Sequence, residues 1–259
     1  MFNPIEITQF LGKTVWYLPT CTSTNDMAKN HADNHDLLEG TIIITSHQTA
    51  GRGQRGNTWQ TVPNQNLTFS LLLNPSFLQI HEQFWLNIAV TLGITDALLA
   101  VLPSTLIKWS NDIYNNNKKL GGILIENILQ QRSIKQSIIG IGLNINQLDF
   151  YLPTATSLAL ATQKTWDLPT LLSSIILHIE KRYLQLRQQN PLTRQQLKET
   201  YLERLYGYQE NRQFIRNGEL FEGRIIGVSP EGYLGISIAN QQTTQFFDIK
   251  EISFVHESF

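Results

Sequence analysis

The stretch Gly51–Trp59, reading Gly-Arg-Gly-Gln-Arg-Gly-Asn-Thr-Trp, fits neither the interior of a helix nor that of a regular strand. Glycine weakens either element by roughly 0.5–1 kcal/mol relative to alanine. The run is therefore a loop, and the rest of the chain must hold it in place. Its backbone N–H groups can converge on an anion. Arg52 and Arg55 add planar forks suited to phosphate or carboxylate oxygens, and Trp59 adds a flat apolar face. By letter Gly51, Gly53 and Gly56 match a dinucleotide-binding fingerprint, but the residues up to Pro63 open no helix, so that context fails. No Gly-Lys-Ser/Thr closes the run as in a Walker loop. Taken alone, the stretch is equally a tight turn with solvated arginines.

The 259 residues suit one large domain with a small appendage. A formal net charge of -1 gives no global case for nucleic acid or an acidic membrane surface. Cys21 is the only cysteine, which excludes an internal disulfide and fits a reducing cytoplasm. The start of the chain has no basic flank before an apolar run, and no apolar stretch is long enough to span a bilayer. These features point to a cytoplasmic protein.

In chain order, 14–18 reads as a first strand. The hydroxyl-rich run Thr20–Asp26 follows, where Ser23 or Thr24 caps a helix or holds a polar ligand group. Thr41–Thr45, Leu67–Leu73, Thr105–Trp109, Ile123–Glu126 and Ile138–Asn144 read as strands. The apolar spacing from Glu82 to Leu102 predicts an amphipathic helix. A second helix starts at Pro169, and Thr193 with Gln196 predicts a capping box for a third. Beyond Gln213, short strands punctuated by Asn217-Gly218 and Pro230-Glu231-Gly232 predict a small β-barrel, dividing the chain into 1–210 and 211–259.

Four stretches then combine: Ser23-Thr24-Asn25, the Gly51–Trp59 loop, Lys108-Trp109-Ser110-Asn111-Asp112 with Lys119-Leu120-Gly121-Gly122 through Glu126, and Gly140-Ile141-Gly142-Leu143-Asn144. In order and spacing the set resembles the biotin–protein ligases over most of the chain. The resemblance implies an α+β fold: a class II synthetase-like mixed sheet flanked by helices, with a small C-terminal SH3-like β-barrel. It implies ATP and biotin as substrates, with Mg2+ accompanying ATP. Biotin would be activated as biotinyl-5′-adenylate and passed to a lysine of a biotin carboxyl carrier protein.

By the same resemblance Lys119 and Arg52 are catalytic. Ser23, Thr24, Asn25, Gln48, Gly51, Gly53, Gly122, Gly140 and Gly142 join them around biotin. Arg55, Trp59, Asn111, Asp112 and Asn144 belong with the nucleotide. No protein metal site is implied. On the residues alone, Lys118 and Lys119 are equally a solvated pair, Trp59 a core aromatic, and Asn111-Asp112 a turn. The chain departs from the family at Gln54 and Asn57, where arginine is frequent, and its end lacks an arginine that some members carry. The motif block begins near Ser23, leaving no room within this chain for the N-terminal DNA-binding domain of some relatives. The expectation is a ligase of single function that binds neither nucleic acid nor membrane, with a homodimer possible. Competing readings are a lipoate-type ligase on the same fold and a non-catalytic biotinyl-adenylate binder.

Overall fold

The structure is a computed structural model and describes residues 2–33, 37–238 and 244–255, with the side chains of 32, 33 and 55 left out of the description. Seven strands form the main sheet: β1 (Val15–Cys21), β2 (Ile42–Gln48), β3 (Leu67–Leu73), β4 (Thr105–Lys108), β5 (Asp112–Asn115), β6 (Lys118–Gln130) and β7 (Ser133–Leu143). Their order is β1-β2-β3-β7-β6-β5-β4. The β1–β2 pair is parallel and the other neighbours are antiparallel, so the sheet is mixed. Pro19 sits in β1 at the sheet edge, where its missing N–H costs no interior ladder bond.

Strand alternation sends β3 side chains to two layers. Leu67, Phe69 and Leu71 enter the main core with Ile42 and Ile44. Leu72 joins Ile43, Ile138 and Ala28 in a smaller core under α1 (Thr24–Asp33), the helix that links β1 to β2. The main core is built on α2 (Phe84–Leu99) and α4 (Leu168–Arg187), with α3 (Leu158–Thr162) and α5 (Pro191–Glu203) beside them. The helix expected over 82–102 is therefore shorter, and it is not amphipathic. Thirteen of its sixteen residues are buried, because the sheet covers one side and α4 another.

Helix starts follow their caps. Asp167 accepts from Thr170 N–H ahead of α4, and Asn190 accepts from Leu192 and Thr193 N–H ahead of α5. The expected Thr193 capping box gives way to this Asn190 cap with Pro191 in the first turn, a pairing that leaves Thr193 inside the helix. The carboxylate of Glu180, buried in α4, accepts from the backbone N–H groups of Gln9, Phe10 and Leu11 at 2.7, 2.8 and 2.9 Å.

Five further strands, β8 (Asn211–Arg216), β9 (Glu219–Val228), β10 (Leu234–Ile238), β11 (Thr244–Phe247) and β12 (Ile252–Phe254), form an antiparallel sheet in the order β11-β10-β9-β8-β12. Its end strands are not paired to each other among the described residues, so an open sheet stands where a closed barrel was expected. Phe214, Ile225, Leu234 and Phe247 bury into the same hydrophobic cluster as the main core.

Candidate active site

The Gly51–Trp59 loop is a tight hairpin closed on itself. Trp59 N–H donates to Gly51 O at 2.9 Å and Gly53 N–H to Asn57 O at 2.7 Å, around a single 3-10 turn at Gln54–Gly56. Gly56 supplies the left-handed corner at φ 79°. The hairpin lays the Trp59 indole against β7 at Gly142, where a Cβ would stand 2.3 Å from the ring.

One row of residues crosses five strands in register: Lys108 on β4, Asp112 on β5, Gly122 on β6, Gly142 on β7 and Thr68 on β3. All five line a cavity of about 280 Å³. Charge stands at the row's outer end and absent side chains at its middle, which opens the space. Gly140 works in the same way one register step along: a Cβ there would meet Asn25 Oδ1 at 2.4 Å.

Of the residues expected at the site, Ser23, Thr24, Asn25, Gln48, Arg52, Gly53, Trp59, Asn111, Asp112, Lys119, Gly122, Gly140 and Gly142 line this cavity. Gly51 stands behind the wall, packed on Trp59 O and Gln48. Asn144 is buried away from it, its amide donating to Thr156 O at 3.1 Å. The side chain of Arg55 lies outside the described residues.

Three groups of contacts organise the wall. The Gln48 carbonyl accepts from Thr24 N–H at 2.7 Å and from its hydroxyl at 3.1 Å. Ser70 donates to Asn25 Oδ1 at 2.6 Å, and the Asn25 amide donates to Glu126 at 2.7 Å. Arg52 Nη2 meets Asp26 at 2.6 Å and Glu126 at 3.0 Å, with 42%, 44% and 33% of the three side chains exposed. Pairs this exposed contribute about 0–1 kcal/mol, so an anion can compete for the guanidinium. Lys119 Nζ meets Asp112 at 2.7 Å, while the Lys119 backbone is pinned by Thr154 O and Thr156 N–H.

Several contributors were not among the residues expected at the site. Lys108 is 8% exposed, stands 3.1 Å from Tyr114 Oη and lies over the Phe254 ring at 5.0 Å. Burial, with help from the nearby charges of Lys119 and Arg212, lowers its pKa to about 8 against the pull of Asp112. Glu126 and Asp26 hold Arg52. Thr68 is 4% exposed, and its hydroxyl, like the Trp59 indole N–H, has no partner among the described residues. Ile249, Ile252, Ser253 and Phe254 close the cavity from the C-terminal sheet. Lys108 and Glu126 stood inside recognisable motifs; Thr68 and the C-terminal wall carried no signal in the sequence. No group of three or more His, Cys, Asp or Glu side chains suited to a metal occurs among the described residues. Nor is any helix among them long and apolar enough to cross a membrane.

The biotin/lipoate A/B protein ligase family matches residues 17–144, the span that carries most of this wall. Relatives include the bifunctional ligase/repressor BirA of Bacillus spizizenii, 33% identical over 235 residues that cover 88% of this chain and 70% of that protein. Another is the biotin–[acetyl-CoA-carboxylase] ligase of Mycobacterium tuberculosis, 33% identical over 175 residues, covering 65% of this chain and 64% of that one. Among solved structures, the biotin protein ligase from Aquifex aeolicus in complex with biotin and ATP superposes with a TM-score of 0.77 at 24% identity, over 95% of this chain and 100% of that one. The fold is shared over nearly the whole length, and 88% of the chain aligns at 33% identity with a relative spanned for 70% of its own length, so the chain belongs to the biotin/lipoate A/B protein ligase family, among its biotin–protein ligases.

Proposed function

We propose that this protein joins biotin to a carrier protein in two steps within the cavity beside the Gly51–Trp59 hairpin. A biotin carboxylate oxygen attacks the α-phosphorus of ATP, and pyrophosphate leaves with the electrons of the broken P–O bond. A carrier lysine then attacks the acyl carbon, a C–N bond forms, and AMP departs. The observation that carries the reading is the convergence of Arg52 and Lys119 on one cavity floored by Gly122, Gly140 and Gly142.

The first step brings two anions together, so fixed positive charge must offset their repulsion. Lys119 and Arg52 supply it, each exchanging a carboxylate partner of the protein for an oxygen of the ligand. Ser23, Thr24 and Gln48 read the urea of biotin. The Gln48 carbonyl is already engaged by Thr24, so its amide nitrogen remains for the urea oxygen. Trp59 shields the adenylate, and Asn111 and Asp112 flank the nucleotide. A magnesium ion prefers hard oxygen ligands and near-octahedral geometry. The donor set here fits an ion carried in on the triphosphate, with Asp112 as the carboxylate on the wall.

Residues 1–210 form the catalytic unit in this reading and 211–259 a small unit that closes it. The cytosol is the assigned compartment, on the single cysteine. The near-neutral net charge supports neither nucleic acid nor membrane as partner, and pairing of two copies is open to β1, a terminal strand of the main sheet. Incubation with ATP, magnesium, biotin and a biotin carboxyl carrier domain is expected to add one biotinyl group to the carrier, read by intact mass. An unmodified carrier, or one modified only when lipoate replaces biotin, overturns the assignment.

A further inference from the structure

A second cavity of about 310 Å³ adjoins the first and shares Gln54, Trp109, Ile123 and Ile249 with it. The two differ in charge. The first is lined by Arg52, Lys108 and Lys119 with Asp112 as its one lining carboxylate, while Asp26 and Glu126 pair with Arg52 from outside the lining. The second carries the carboxylates of Glu231 and Asp248 and no lysine or arginine among its described lining residues. Neither carboxylate is in an ion pair among the described residues. Glu231 accepts from the Ser229 hydroxyl at 2.8 Å, and Asp248 accepts from Lys250 N–H at 3.2 Å. Both stand on turns of the C-terminal sheet, Glu231 between β9 and β10 and Asp248 between β11 and β12.

The proposed reaction has two anionic reactants and one cationic one. A triphosphate or a carboxylate is favoured in the first cavity and repelled from the second. The lysine ammonium of the carrier has the opposite preference. We propose that the second cavity is the approach path of the carrier lysine, with Glu231 and Asp248 drawing its ammonium group to the shared neck at Gln54, Trp109, Ile123 and Ile249. This rests on the ligase reading above and adds to it a named docking surface for the carrier.

The division of charge also handles the proton. An ammonium group cannot attack a carbonyl, so the lysine must arrive charged and react neutral. Near the two carboxylates the charged form is favoured; past the neck, Lys108, Lys119 and Arg52 favour the neutral one. One proton goes to water as the amine crosses. The amine then forms the C–N bond as the C–O bond to phosphate breaks, AMP leaves with that electron pair, and the second amine proton follows to water.

The test is the double variant Glu231→Gln, Asp248→Asn, with three readouts. Biotin-dependent exchange of pyrophosphate into ATP reports the first step and is expected to stay within twofold of wild type. Capture of preformed biotinyl-adenylate by hydroxylamine, an uncharged nucleophile, is likewise expected to be unchanged. The KM for a biotin carboxyl carrier domain is expected to rise about tenfold, and the salt dependence of transfer to flatten. A carrier KM within twofold of wild type overturns the proposal. So does a fall in pyrophosphate exchange, which assigns the second cavity to the nucleotide. Absence of exchange in the wild-type protein is a different failure, that of the ligase reading itself.

Discussion

Lys119 and Arg52 enter the cavity differently. The Lys119 backbone is fixed by the 154–156 segment, and its ammonium group pairs with Asp112 on the neighbouring strand. Arg52 comes from the hairpin and is tethered by Asp26 and Glu126. Lys119→Ala is expected to slow single-turnover formation of biotinyl-adenylate by roughly 10²–10³-fold, the usual loss for a donor aimed at developing charge. The melting temperature should hardly move, because the Lys119–Asp112 pair is a partly exposed one worth about 0–1 kcal/mol. Adenylate formation at the wild-type rate in the variant would remove Lys119 from the chemistry. Which residues would face the cavity was largely legible in the sequence, since the glycines and cations stand at recognisable spacing. Their partners were not. Arg52 finds Asp26 and Glu126 at separations of 26 and 74 residues, and only the packing of the hairpin against α1 and β6 brings them together.

At the level of elements, strands were easier to read than helix faces. β3 and the two glycine-bearing strands show β-branched or alternating apolar runs, and the structure has strands there. Asp112–Asn115 is a strand although Asn111-Asp112 reads as a turn, and the left-handed residues come only at Asn116 and Asn117. For α2, the periodicity was blurred by its burial on nearly every side. Gly93 lies where α2 crosses α4, and a Cβ there would fall 2.5 Å from Ile179 Cα. Gly93→Ala is expected to lose about 1–3 kcal/mol by forcing the helices apart, despite alanine's better helix propensity. A denaturant midpoint equal to or above that of wild type would show that the crossing has slack.

Across the whole molecule, Lys108 joins the two sheets, standing between Tyr114 of β5 and Phe254 of β12. Its pKa falls from the ordinary 10.5 to about 8 in the folded protein, first because of burial. Between those values the unfolded chain binds more protons than the native one, so this residue makes stability rise with pH from about 8 to 10.5, by at most about 3 kcal/mol. Lys108→Met removes that slope. Its stability relative to wild type should be most favourable near pH 7 and decline as the pH approaches 10. Urea midpoints compared across that range measure it, and a constant difference would refute it. Tyr183, whose pKa burial raises, acts in the opposite sense above pH 10 in both proteins and cancels in the comparison.

The Glu180 carboxylate has a consequence for the order in which the chain can settle. The amides of Gln9, Phe10 and Leu11 find their acceptor only at residue 180. A ribosome delivers that acceptor 169 to 171 residues after the amides it serves. The 9–11 segment therefore comes to rest only once α4 has been made, and until then it is open to chaperones and proteases.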